Sequence, residues 1–304
     1  MVEFVATPVA EYRRPHPPAY AALDLGTNNC RLLVGTPAGD GFRVLDSFNR
    51  VVRLGEGLQH TGELSGPAME RTMNALHGCV ARMARRPVRA LRAVATEACR
   101  RAANGGAFIA RVQRETGLAI TIISSREEAE LAVESCAPLL RDGGRRALLF
   151  DIGGGSTELA WVRLPPQDGA PQLIGYLSMP LGVVTLAERY GAAGQTEEGF
   201  AAMAAEVAGR LAAFESVHCI SHEIRQGGVR LLGTSGTVTT LAGVVLNLPR
   251  YNRLAVDGAV LAAEEIVVAD RGLREGMILR MIRGERSRGH RFARADRLAY
   301  GAAP

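Results

Sequence analysis

Asp151-Ile152-Gly153-Gly154-Gly155-Ser156-Thr157-Glu158 is the stretch on which the reading of this chain turns. The apolar run Ala147–Phe150 leads into Asp151, three glycines turn the chain, and a second apolar run, Leu159–Val162, follows. That pattern predicts a strand, a tight hairpin and another strand. Three successive residues without side chains let a phosphate approach several backbone N–H groups at once. Ser156 and Thr157 add hydroxyl donors. Asp151 and Glu158 bracket the turn with hard oxygen ligands, the kind Mg²⁺ takes when phosphates share it. The plainer alternative is a glycine-rich hairpin with capping acids and no ligand.

The same design occurs earlier in the chain. Tyr20–Leu25 is an apolar run, and Asp24-Leu25-Gly26-Thr27 lies on Asp151-Ile152-Gly153-Gly154, each followed by a turn and an apolar strand. Such a repeat predicts two similar α/β domains, each delivering an aspartate at the end of a strand. Facing one another, they put both aspartates and both hairpins on one cleft. Further strands are expected at Arg31–Gly35, Phe42–Leu54, Val88–Ala95 and Ala119–Ile123. A helix capped by Ser65 carries Met69, Met73, Leu76, Val80 and Met83 on one face, and another opens at Ser124-Ser125 and runs to about Leu140. The polar, glycine-containing Arg141–Arg146 marks the boundary, giving a loose tail over 1–18, a first domain over 19–142 and a second over 143–304. Thr196–Val217 and the segment from Leu261 onward read as amphipathic helices in the second.

Bulk properties narrow the function. An apolar fraction of 47% and a mean hydropathy of +0.04 belong to a soluble globular protein, and only 22% of residues are charged. The net charge of +5 and pI of about 9.2 suit an anionic partner. All 36 basic residues are arginine, a side chain that grips phosphate oxygens in pairs. Without lysine there is no P-loop of the Walker type. Cys30, Cys79, Cys99, Cys136 and Cys219 are odd in number and scattered, which speaks against a disulfide framework or zinc site and for a reducing cytoplasm. No histidine has metal-ligand spacing to another. The N-terminus carries Glu3, Glu11 and several prolines, so it reads as neither a signal peptide nor a span. Leu231–Pro249 is uncharged, but its hydroxyls and glycines predict a loop feeding a buried helix, so no membrane partner is expected.

Other candidates lie around the two hairpins. Gly26, Thr27, Asn28 and Arg31 form the first copy of the phosphate loop, although Asp and Asn are also ordinary turn residues. Gly233-Thr234-Ser235-Gly236-Thr237 precedes an apolar helix, a seat for an anion or a plain N-cap. Arg100 or Arg101, just past a strand, can clamp phosphate. Ser124/Glu127 and Ser125/Glu128 both fit a capping box; one glutamate stays free to act as base, and spacing leaves open which. The basic run Arg283, Arg286, Arg288, Arg291, Arg294 and Arg297 reads as a solvated face or a track for a polyanion; lacking interleaved aromatics, it does not predict a specific nucleic-acid site.

Taken in order, Asp24–Asn28, Arg53–Leu58, Ala95-Thr96 with Arg100 and Asn104, Ser124–Ala129, Asp151–Glu158 and Gly233–Leu241 resemble the Ppx/GppA family, exopolyphosphatases and guanosine pentaphosphate phosphatases of the actin–sugar kinase–Hsp70 superfamily. The resemblance implies two ribonuclease-H-like domains, Mg²⁺ dependence, and release of terminal phosphate from polyphosphate or guanosine penta/tetraphosphate, with a homodimer as the oligomer to consider. It assigns Glu127 as catalytic glutamate, Asp151 and Glu158 to metal binding, Arg100 to the cleft, and Gly153–Thr157 and Gly26–Asn28 to phosphate; Asp24, at the matching strand end of the first copy, is the third candidate ligand for the metal. Asn29, Cys30 and Ser125 depart from the family's usual residues. Relatives continue into one more helix beyond the point where this chain stops, and the larger ones into an added helical domain. Two rivals remain: a superfamily kinase passing phosphate to an acceptor, and a sensor that binds without turnover.

Overall fold

The computed structural model describes residues 18–39, 41–140, 144–166, 169–262 and 264–266. The expected N-terminal tail (apart from residue 18), the linker at 141–143, nearly all of the helix from Leu261 onward and the basic run fall outside them.

The first half builds strands β1 (Ala19–Leu25), β2 (Asn29–Ala38), β3 (Gly41–Val51), β4 (Val88–Ala95) and β5 (Thr121–Ile122), in the order β3-β2-β1-β4-β5. Between them lie helices α1 (Leu58–Thr61), α2 (Gly66–Met83), α3 (Glu97–Arg101) and α4 (Gly105–Thr116), and α5 (Ser125–Cys136) follows. β1, β2 and β3 form an antiparallel meander, while β4 runs parallel to β1 and β5 parallel to β4. Alternation is clean along β1, where Ala19, Ala21, Leu23 and Leu25 are buried. They meet Met73, Leu76 and Cys79 of α2 and Phe108 and Val112 of α4 in one core. Ser65 caps α2, its hydroxyl accepting from Ala68 N at 3.3 Å, with Pro67 in the first turn.

The second half repeats the plan. β6 (Arg146–Ile152), β7 (Thr157–Arg163) and β8 (Gln172–Met179) form a meander, and β9 (Val229–Thr234) runs parallel to β6, giving β8-β7-β6-β9. Helices α6 (Val183–Tyr190), α7 (Glu197–His218), α8 (Ile220–Arg225), α9 (Ser235–Val245) and α10 (Arg253–Val256) complete it. β8, α6 and α1 are elements that the sequence patterns do not mark. Asp24 pairs with Arg31 as Asp151 pairs with Glu158. Gly26 N–H donates to Asn29 O at 2.9 Å, and Gly153 N–H to Ser156 O at 2.9 Å. The repeat therefore extends to individual backbone hydrogen bonds, and the fold is a pair of ribonuclease-H-like α/β units with a cleft at their hairpins.

The expected division at 142/143 falls after α5, a helix whose packing lies with the second sheet. Ala129, Val133 and Cys136 of α5 pack with Ala147, Leu149, Ala160 and Val162 of the second sheet. The other face of that sheet packs Leu159, Trp161 and Met179 against Phe214 and Ile220. Packing thus changes sides near Ile123, before α5, because the helix carries its apolar stripe away from the first core.

Candidate active site

Both hairpins open into one cleft of about 590 Å³. One wall comes from Asp24, Gly26, Thr27, Asn28, Arg31 and Thr96 of the first half. The other comes from Asp151, Gly153, Gly154, Gly155, Ser156 and Glu158, with Ser235, Gly236 and Thr237 at the start of α9. The glycines serve proximity as well as ligand access. A Cβ on Gly154 would lie 2.9 Å from Asn28 Cβ, and one on Gly155 would lie 2.5 Å from Thr27 Oγ1. The two hairpins therefore touch across the cleft, and side chains would hold them apart.

Four carboxyls gather here, which is costly in a cleft unless something cationic joins them. Burial raises the Asp24 carboxyl above its ordinary value; Arg31, 3.8 Å away, opposes the rise, and the charge of Asp151 adds to it. Burial likewise raises Asp151, against the charge of Arg31. Burial pushes Glu158 up to about 7, despite hydrogen bonds from Ser156 and from Ser178 at 3.2 Å. Glu128 rises to about 8, chiefly through burial, with the charge of Glu158 adding and Arg100 opposing. Such a set of mutually repelling hard oxygen donors fits a divalent cation shared with substrate phosphate and water. Among the described residues, no three His, Cys, Asp or Glu side chains form a ready-made metal cage.

Several expected residues sit elsewhere. Glu127 lies outside the cleft, beside a shallower depression of about 410 Å³, where its Oε1 accepts from Arg92 at 2.7 Å. Ser124 is the true cap of α5, accepting from Glu127 N at 3.1 Å. One residue on, a turn of about 100° carries Glu128 into the cleft instead. Arg100 does not line the cleft surface. Its Nη1 donates to Ile123 O at 2.8 Å and to Glu128 Oε2 at 3.1 Å, and its Nη2 donates to Glu97 Oε2 at 2.9 Å. It holds Glu128 from behind the cleft wall. Thr157 turns away, its hydroxyl donating to Leu181 O at 2.7 Å. Gly233 packs against Phe150 and Val238, and Thr234 ends β9 behind the cleft wall. The hydroxyls of Ser235 and Thr237 both donate to Ile152 O, at 2.7 and 3.1 Å. What α9 offers an anion is thus its first backbone N–H groups. Ser235 holds a φ of 82°, a strained left-handed backbone at that junction.

Glu128, which the sequence leaves as one of two alternatives, lines the cleft, and Glu97 braces Arg100 beside it. The capping boxes had reduced the choice of glutamate to two, and only the helix phase decides it.

Comparison with known proteins bears on the family and the fold. Residues 34–250 match the model of the Ppx/GppA phosphatase family. A solved exopolyphosphatase-like protein is 30% identical, with 84% of this chain and 78% of that one covered and a TM-score of 0.74. A Ppx/GppA enzyme of Aquifex aeolicus is 27% identical over 85% of this chain and 81% of its own, with a TM-score of 0.67. An exopolyphosphatase of Cytophaga hutchinsonii, 23% identical over 86% and 90%, shares the fold with a TM-score of 0.67. With most of its length matched and both hairpins on one acidic cleft, this chain belongs to the Ppx/GppA phosphatase family.

Proposed function

We propose that the protein is a Mg²⁺-dependent phosphohydrolase that releases terminal orthophosphate from inorganic polyphosphate or guanosine pentaphosphate, with Glu128 as general base. The observation that carries this reading is the position of Glu128, a buried carboxyl held by Arg100 in the cleft beside both phosphate loops.

The terminal phosphoryl group sits between Gly26–Asn28 and Gly153–Ser156, whose backbone N–H groups and the first turn of α9 receive its oxygens. Arg31, half-exposed on the cleft wall, supplies the positive charge. Asp24, Asp151 and Glu158 are the residues that would hold Mg²⁺, which would supply neutralisation of the phosphate charge. Glu128 takes the proton of the attacking water as the new P–O bond forms, and the bond to the rest of the chain breaks. A base whose pKa lies near neutrality suits that step. Arg100, fixed by Glu97, keeps the carboxylate aimed. Phosphoryl transfer asks for positioning and charge more than covalent help, and this cleft offers both.

The deciding experiment measures phosphate release from long polyphosphate, guanosine pentaphosphate and ATP in parallel, with Mg²⁺ and with EDTA. Metal-dependent release from either of the first two, well above ATP, is expected. Tight binding with no release favours the sensor reading, and transfer only in the presence of an acceptor favours a kinase.

A further inference from the structure

The two halves also meet through the loop before α1 and the end of α6. Gly57 N–H donates to Glu188 Oε1 at 3.0 Å, and Arg189 Nη2 donates to Gln59 Oε1 at 3.0 Å. Arg189 is itself anchored by an ion pair with Glu206, which also accepts from Tyr190 Oη at 3.1 Å. Two polar atoms at this contact, Glu188 Oε2 and Gln59 Nε2, are buried with no hydrogen-bond partner among the described residues. One is an acceptor and the other a donor, on opposite sides of the same contact. Buried unpaired polar atoms are costly, so the contact is one that a small movement or a water completes.

Each side of this contact is wired to one phosphate loop. Gly55 N–H donates to Thr27 O at 3.0 Å, and Val52 and Arg53 N–H donate to Asn28 O at 2.8 and 3.0 Å, so the segment before α1 grips the first hairpin. At the other end, Val183 N–H donates to Gly153 O at 3.0 Å and Val184 N–H to Gly154 O at 2.8 Å, so the first turn of α6 grips the second. Glu188 stands about one and a half turns further along the same helix. The circuit closes where Gly154 and Gly155 meet Asn28 and Thr27.

We infer that Glu188 is a positioning residue: through Gly57 it latches α6 to the 52–57 segment and so sets the spacing of the two phosphate loops. The inference rests on the proposed phosphohydrolase reading for its kinetic consequence but not for its structural one. Its test uses the full chain with Glu188→Ala and Glu188→Gln, sodium polyphosphate as substrate, and hydrogen exchange without substrate. Loss of a hydrogen bond to a carboxylate corresponds to roughly tenfold or more. The Ala variant is therefore expected to raise KM about tenfold while kcat changes by less than about threefold, and the Gln variant, which keeps an acceptor for Gly57, to restore KM. Exchange is expected to quicken in the Ala variant at Gly57–Thr61 and also in both hairpins, 26–29 and 153–157. Hairpins that keep wild-type protection in both variants overturn the latch, whatever the kinetics. A wild-type protein that releases no phosphate overturns the hydrolase reading and leaves the exchange result to decide the latch.

Discussion

Glu127 and Glu128, adjacent in α5, answer to different arginines. Glu127 Oε1 accepts from Arg92 at 2.7 Å outside the cleft, and Glu128 Oε2 accepts from Arg100 at 3.1 Å within it. The pair therefore separates a surface ion pair from a site carboxylate by one residue of helix phase. Glu128→Gln is expected to lower kcat by roughly 10²–10⁴-fold, the usual worth of a general base, with KM nearly unchanged. Glu127→Gln removes only an exposed pair, worth about 1 kcal/mol or less, and is expected to retain near-normal turnover. Steady-state phosphate release from both variants checks this; the opposite ranking would return the role to Glu127.

The raised carboxyls make a signed statement about stability. Glu128 at about 8 and Glu158 at about 7 hold protons more tightly in the folded protein than in the unfolded chain, where both titrate near 4.5. Between those limits the folded state binds more protons, so their contribution to stability is fully present below about pH 4.5 and is lost as pH rises to 8. The expected loss is on the order of a few kcal/mol. Melting temperature of the metal-free protein should fall from pH 5 to pH 8, and Glu128→Gln should flatten the fall. A melting curve independent of pH over that range in the wild type would refute the assignment.

Much of this site was legible because its parts are local. A hairpin that needs Gly after a strand-end aspartate writes itself into consecutive residues, and the second copy at Asp24–Asn28 follows from the first. Glu128 was hidden because Ser124 and Ser125 both make acceptable caps, and the phase of a helix cannot be read from two equivalent boxes. The domain division was drawn at Arg141–Arg146 because that stretch looks like a linker, and the packing of Ala129, Val133 and Cys136 of α5 on the second sheet is not visible from it. The Gly57–Glu188 contact leaves no local trace at all, since it joins residues 131 positions apart.

Arg31 is the cleft cation with the least to hold it. It pairs with Asp24 only at 3.8 Å, its own side chain is more than 40% exposed, and Nη2 lies 3.7 Å from where a Cβ on Gly236 would stand. It therefore spans the first hairpin and the start of α9, free to close on an anion. Arg31→Ala is expected to weaken binding of non-hydrolysed pyrophosphate by about tenfold, the scale of one charge-assisted hydrogen bond. The melting temperature should move little, since an exposed pair contributes about 1 kcal/mol or less. Isothermal titration beside a thermal melt separates the two; a large drop in melting temperature with unchanged affinity would make Arg31 structural.

The contact of the glycine loop with the opposite hairpin gives the remaining prediction. Gly154→Ala puts a methyl 2.9 Å from Asn28 Cβ and 3.3 Å from Asn28 N, and Gly155→Ala puts one 2.5 Å from Thr27 Oγ1. Asn28 and Thr27 cannot yield easily, because Thr27 O and Asn28 O are held by the N–H groups of Gly55, Val52 and Arg53. The strain is relieved by parting the two halves. Each variant is then expected to fold, to raise KM for polyphosphate by about tenfold or more, and to expand the molecule in small-angle scattering. Gly106→Ala in α4, where a methyl meets nothing within 4 Å, serves as the control and should be neutral or slightly stabilising. If Gly154→Ala instead retained wild-type KM and size, the triplet would serve the hairpin turn alone, and the close approach of the loops would not be what brings phosphate to Glu128.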